Sequence, residues 1–215
     1  MSRWNKNIIY TPQHNDVARF DTGDEPSAVR DHDLILIGNH TRPRVLGGLR
    51  SISGVRERAE FARHMATHFG GRFKLYGNGW EGFRCNCGPV DFQRQVEYYR
   101  NTWVTVAYEH YPEIPYYFSN RLPAALMAGS LYVCHYHPGY ETIFPEGDFI
   151  FFFRSNREAV DIVNYIFSLE KGDLLARSHR AAEFAKKRYS PEVAWRRFFR
   201  CVKERKKGQH VFENP

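Results

Sequence analysis

Apolar residues along this chain fall into two alternating patterns: short unbroken runs, and longer stretches spaced three or four apart. The run DLILIG (33–38) is almost uniformly apolar and ends in glycine, as a strand covered on both faces would be. In SGVRERAEFARHMATHFG (53–70), Val55, Ala59, Ala62, Met65, Ala66 and Phe69 keep helical spacing, and a glycine pair stops the helix. RFKLYG (72–77) reads as a second strand and WVTVAY (103–108) as a third. Between them VDFQRQVEYYRNT (90–102) reads as a helix capped by Asp91, with Phe92, Val96 and Tyr99 on its inner face. SNRLPAALMAG (119–129) predicts a further helix that Ser119 or Asn120 can cap. SLYVCHY (130–136) and DFIFFF (148–153) complete the strands. NREAVDIVNYIFSLEKG (156–172) would turn Ala159, Ile162, Val163, Ile166 and Phe167 inward. Two helices close the chain, DLLARSHRAAEFAKKRYS (173–190) and PEVAWRRFFRCVKERKK (191–207). Ser190 caps the last, Pro191 takes its first position, and its Trp195, Phe198 and Phe199 are spaced to pack onto the domain.

Strands alternating with helices predict an α/β, Rossmann-like parallel sheet with helices on both faces, closed by the C-terminal helices. That domain should span 31–207, after a polar, turn-rich arm or connecting segment at 1–30 and before a tail at 208–215. Right-handed crossovers then carry every strand-to-helix loop to one edge of the sheet. The loops gathered there are GNHTRPR (38–44), YGNGWEG (76–82), YEHYPEIPYYFSNR (108–121) and HYHPGYE (135–141). DHD (31–33) would fall at the opposite edge, so its likeness to a metal-binding D-x-D carries no weight.

Arg121 opens a helix, where an anion would meet backbone N–H groups, the Ser119 hydroxyl and a guanidinium together. The alternative is an ion pair with Glu109 or Glu113. Gly38 lets backbone approach a ligand, and Arg42 and Arg44 add charge, but neither the G-x-G-x-x-G nor the Walker spacing is present. Trp80 offers a stacking surface beside a glycine turn. His110, His135 and His137 are either structural or catalytic.

Formal charge is +7 with a pI near 9.3, which suits an anionic partner or simply a soluble surface. Aromatic content of 16% predicts a ring-rich core or cleft. Four cysteines are too few for a disulfide framework, and RCNCG lacks zinc-site spacing, so no metal is predicted and a reducing cytoplasm is expected. No apolar run approaches membrane-spanning length.

Taken in order, LIGN, KLYGNGWEG, CGPV, WVTVAY, SNRLPAALMAG, HPGYETIFPEGDFIFF and SNREAVDIVNYIFS resemble the C-terminal nucleotide-sugar domain of GT-B glycosyltransferases over about 31–200. The nearest likeness is to the spore-coat (spore maturation) glycosyltransferase-like group. The resemblance implies a nucleotide-sugar co-substrate with no further cofactor, and an Arg121 that contacts its diphosphate. It implies that Gly38 and Asn39 face the sugar nucleotide, and that Tyr76, Gly77 and Trp80 lie by the base. Pro138, Gly139 and Tyr140 would lie beside the sugar and phosphates. Ala124 stands where the family has a ribose-binding glutamate, which would pass that role to Glu141. Such enzymes have two similar halves, and only one is evident here. The acceptor side and catalytic base would come from a second protomer, a partner chain, or the local Glu109, His110 and His137. An anionic acceptor, DNA with hydroxymethylated bases among them, would fit the charge. Two other functions remain open: a non-catalytic module that binds a nucleotide or nucleic acid, and a nucleic-acid-binding protein working through its final helix.

Overall fold

Runs such as Leu34–Ile37 are buried along their whole length, which requires helices on both sides of the strand that holds them. The computed structural model describes residues 25–40 and 54–206, and it has that arrangement. In chain order the elements are β1 (His32–Ile37), α1 (Val55–Phe69), β2 (Phe73–Tyr76), α2 (Gln95–Arg100), β3 (Thr102–Ala107) and α3 (Arg121–Met127). There follow β4 (Leu131–His135), the short α4 (Tyr140–Ile143), β5 (Ile150–Phe153), α5 (Asn156–Ser168), α6 (Lys171–Tyr189) and α7 (Pro191–Lys206). The strands form one parallel sheet in the order β2-β1-β3-β4-β5, with Ile37 opposite Tyr76 and Ala107 opposite Cys134. Helices α1 and α5 pack together on one face, and α2, α3 and α6 on the other. Rings fill much of the interior, for example Phe61 stacked on Phe153 at 4.8 Å.

Strand order turns back between β1 and β3. In a sheet of this order the crevice beyond the carboxyl ends of those two strands is where ligands bind. The fold therefore brings the loops after β1 and β3 side by side, with the β2 loop flanking them.

Local departures from the expected pattern have physical causes. The predicted helix over 90–102 begins as a 3₁₀ turn, Phe92–Arg94, with Asp91 accepting from the Gln93 amide at 2.6 Å. That turn throws Phe92 outward, so it is half exposed while Val96 and Tyr99 stay buried. Ser119 does not cap α3, because its hydroxyl is spent elsewhere, and Asn120 takes a helical backbone with no side-chain capping bond. Ser190 does reach the Val193 amide, at 3.4 Å.

The expectation that the α7 aromatics pack onto the domain is overturned: Trp195, Phe198 and Phe199 are exposed, and the partly covered residues are Pro191, Val193, Ala194, Arg197, Cys201 and Val202. At the other end of the chain, the expected arm finishes as part of the fold. Arg30 donates to the Thr102 and Gly129 carbonyls at 2.6 and 3.0 Å and to the Ser178 hydroxyl at 2.9 Å, with its guanidinium over Trp103. Among the described residues no helix is long and apolar enough to cross a membrane.

Candidate functional site

At the reversal point, Arg121 turns its guanidinium back into the protein, under the end of β1. It donates to Glu109 at 2.5 Å, to the Ser119 hydroxyl at 2.9 Å and to the Ile37 carbonyl at 3.1 Å. Glu109 lies just beyond β3 and is 1% exposed. It also accepts from Ser119 at 2.7 Å and from the Tyr132 hydroxyl at 3.3 Å. A second arginine, Arg58 of α1, is equally buried and comes within 4.0 Å of the same carboxylate. Its other bonds run to the Tyr108 carbonyl at 2.6 Å, the Asn39 carbonyl at 3.1 Å and the His110 ring at 3.0 Å. One arginine thus ties the β1 loop to the β3 loop.

Burial alone would raise the pKa of Glu109, but Arg121, the Ser119 hydroxyl and Arg58 outweigh it and hold the carboxyl below its usual range. Burial likewise works against the charge on Arg121, and Glu109 more than restores it. Arg58 is pulled down to about 10, first by burial and then by the charge of Arg121, and stays protonated at neutral pH. Two guanidinium groups facing one carboxylate leave one positive charge over. Of the two readings of Arg121, the ion pair is the one formed, and its partner is Glu109. The Arg121 side chain still keeps 17% exposure and lines a cavity of about 330 Å³.

Gly38, Asn39, Gly77 and Asn78 line that cavity together with Val90, Phe92, Asn120 and Arg121. A Cβ on Gly38 would stand 2.2 Å from Nη1 of Arg121, so only glycine lets the guanidinium pass. Gly77 has φ +136°, and a Cβ there would stand 2.3 Å from the Gly38 carbonyl. The two loops are fastened backbone to backbone: His40 N–H donates to Asn78 at 2.8 Å, and the Asn78 amide donates to the Asn39 side chain at 2.9 Å.

Trp80 completes the fastening. Its indole N–H donates to the Gly38 carbonyl at 2.6 Å, while His40 stacks on its face and Phe83 meets it edge-on. The ring is wholly buried, so the stacking surface expected of Trp80 is already covered from within the protein. Tyr76 is buried too, against Tyr98 and His32, and does not line the cavity. The exposed ring at the cavity is Phe92.

A guanidinium carries only donors, so the nitrogen of His110 that meets Arg58, Nε2, must be the acceptor. His110 is then neutral with its proton on Nδ1. His137 is fully buried and stacked on Tyr140, and burial pushes its pKa down; His135 behaves alike. Tyr140 donates its hydroxyl to the Tyr117 carbonyl. The Tyr116 ring lies against Gly139, where a Cβ would stand 2.2 Å from its Cε1, and the Tyr116 amide donates to the Pro138 carbonyl at 2.9 Å. Glu141 accepts from Tyr136 at 2.8 Å. The cavity thus gathers Gly38, Asn39, Gly77, Asn120 and Arg121, with Glu109, Ser119 and His110 in the network behind it. The loop from Pro138 to Glu141 does not line it, Ala124 is buried within α3, and Arg42 and Arg44 lie outside the described residues.

Two residues escaped the sequence reading, Arg58 and the outward Phe92. Arg58 left a signal: it falls three residues after Val55 and four before Ala62, a charge set in an apolar stripe.

The sequence model of the glycosyl transferase-like family matches residues 56–200. No curated protein matches in sequence. Among solved structures, a glycosyltransferase from Rickettsia africae superposes with a TM-score of 0.67 at 12% identity, over 94% of this chain and 58% of that one. Sucrose-phosphate synthase from Thermosynechococcus elongatus gives 0.61 at 10% identity, over 93% and 53%. Anabaena HepE, solved in complex with UDP-glucose, gives 0.56 at 10%, over 81% and 49%. This chain thus spans about half the length of those it superposes on, and the likeness at such identities is one of fold.

Proposed function

The chain belongs to the glycosyl transferase-like family, and on that premise we propose that it binds a nucleotide-sugar donor by its diphosphate at Arg121 and passes the sugar to an acceptor. The observation that carries this is the surplus positive charge of Arg58, Glu109 and Arg121, which opens on the cavity only through Arg121. In transfer, the bond from the anomeric carbon to the diphosphate oxygen breaks as an acceptor oxygen attacks, and negative charge grows on the leaving diphosphate. A guanidinium already fixed by Glu109, Ser119 and Ile37 meets that charge without reorganising and fills the place a metal would take. Phe92 would flank the nucleoside base, the part first given to Trp80. Gly38 and Gly77 leave room for the phosphates.

The local residues are poor bases for the acceptor proton. Glu109 is locked by two arginines, His110 has its Nε2 lone pair engaged by Arg58, and His137 is buried. The base is therefore assigned to a second polypeptide segment, in a partner chain, a second copy, or a further half of the kind the solved neighbours contain. A donor-binding module without turnover is the second reading, and those same engaged groups favour it. The acceptor, the spore-coat likeness and the reducing cytoplasmic setting rest on the sequence alone. A DNA acceptor has only the net charge behind it.

A thermal-shift panel of UDP, GDP, ADP and their sugar conjugates tests the donor site, with UDP-glucose first because HepE holds it. A true donor at a hundred times its Kd should add about 2.7 kcal/mol of stability. Arg121→Lys keeps the ion pair but loses the two-pronged grip, so the shift should shrink in that variant. A panel without any shift would sink the reading. Release of free sugar or a transferred product then separates enzyme from module.

A further inference from the structure

The last helix carries its apolar face outward. At 3.6 residues per turn, Phe198, Val202, Trp195 and Phe199 share an arc of about 100° along α7. Trp195 is 56% exposed, Phe199 55% and Phe198 36%, and the three rings touch one another. On the opposite arc, toward α6, the partly covered residues are Val193, Ala194, Arg197 and Cys201, none of them aromatic. A solvated helix would present these faces the other way round, so the arrangement marks a surface that another body covers.

Charge narrows what that body is. Arg196, Arg200 and Lys203 form an exposed row beside the rings. Over Pro191–Lys206 the sequence holds six basic residues against Glu192 and Glu204, a surplus of four, and the last turn of α6 adds Lys186, Lys187 and Arg188. A second copy would set this surplus against itself. An acidic protein partner would need a groove shaped to a convex helix, whereas a lipid interface needs none. Aromatic rings settle at the level of the headgroups, and arginine takes lipid phosphate in a two-pronged grip. We propose that α7 is a docking helix for an anionic lipid surface. It lies in the plane of the interface with Trp195, Phe198 and Phe199 inserted and Arg196, Arg200 and Lys203 on the phosphates. This does not depend on the donor site, which is built from other elements.

The test is co-sedimentation of the full chain with vesicles of phosphatidylcholine alone and of phosphatidylcholine mixed with phosphatidylglycerol. Binding is expected to the mixed vesicles only, weakening with salt and accompanied by a blue shift in tryptophan emission that Trp195→Phe diminishes. Trp195→Ala with Phe199→Ala, and separately Arg196→Glu with Arg200→Glu, should each weaken binding about tenfold or more. These are surface positions, and unchanged melting temperatures will show that the variants fold. Absence of binding to the anionic vesicles would overturn the proposal, as would equal binding by the aromatic variant, which means mere adsorption of charge. So would a dimer in vesicle-free solution that the aromatic variant dissolves, since a second copy would then be the cover.

Discussion

Arg58 fixes the tautomer of a neighbouring histidine and so takes it out of use as a base. Because Arg58 can only donate, its 3.0 Å contact holds His110 as the Nδ1–H tautomer. Arg58→Met removes that donor, so the preference for Nδ1–H should relax in the variant, and Arg58→Lys, which restores a donor, should recover part of it. Nitrogen-15 NMR of the imidazole reads the tautomer directly. The same tautomer balance in the native protein and in Arg58→Met would refute the assignment. At this scale sequence told residue type and approximate place but not partner. Arg121 could be put at the ligand edge from its position after a strand, while its pairing with Glu109 across a loop of several residues could not be chosen over pairing with Glu113. Ser119 looked like a helix cap because serine so often is one; a buried carboxylate within 2.7 Å made a stronger claim on its hydroxyl.

Elements were far more legible than their orientation. Each strand announced itself because burial on both faces leaves an unbroken apolar run, and the helices between them showed the period of their buried stripe. Period alone does not say which side a stripe faces. In α7 the aromatics share a face, as their spacing required, but the face looks away from the domain. The Gly38 and Gly77 loops show the converse, a contact no periodicity could signal. Their mutual approach depends on a Trp80 N–H reaching the Gly38 carbonyl at 2.6 Å. Trp80→Phe keeps an aromatic ring and removes that donor, leaving a buried carbonyl short of a partner. The expected loss is at least about 1 kcal/mol in chemical denaturation, together with a weaker nucleotide-induced thermal shift as Gly38 loosens over Arg121. Unchanged stability would mean the loops are held by their backbone bonds alone.

Across the whole molecule the two edges of the sheet have opposite characters. The carboxyl edge is charged and opens through Arg121 onto a cavity, while Arg30 closes the other edge. Arg30 ties the start of β3, the turn after α3 and the middle of α6 to one guanidinium, and burial brings its pKa down to about 10 without discharging it at neutral pH. Pro26 packs so near Gly129 that a Cβ there would stand 2.8 Å from it, so the segment before β1 is held at two points. Sequence placed this stretch outside the core because its composition is polar and turn-rich; a single arginine supplying four bonds leaves no compositional trace. Arg30→Met keeps much of the side-chain length and its cover over Trp103 but removes the donors to three carbonyls, that of the exposed Ser27 among them, and to a hydroxyl. About 2–4 kcal/mol should be lost in urea unfolding, at roughly one unpaired group per kcal/mol. Ligand-induced thermal shifts measured at matched fractions of the apo melting temperature should survive, because nothing Arg30 touches reaches the Arg121 cavity. If Arg30→Met weakened nucleotide binding as much as Trp80→Phe, the two edges would have to be coupled through the strands, and the site could not be treated as a property of the carboxyl edge alone.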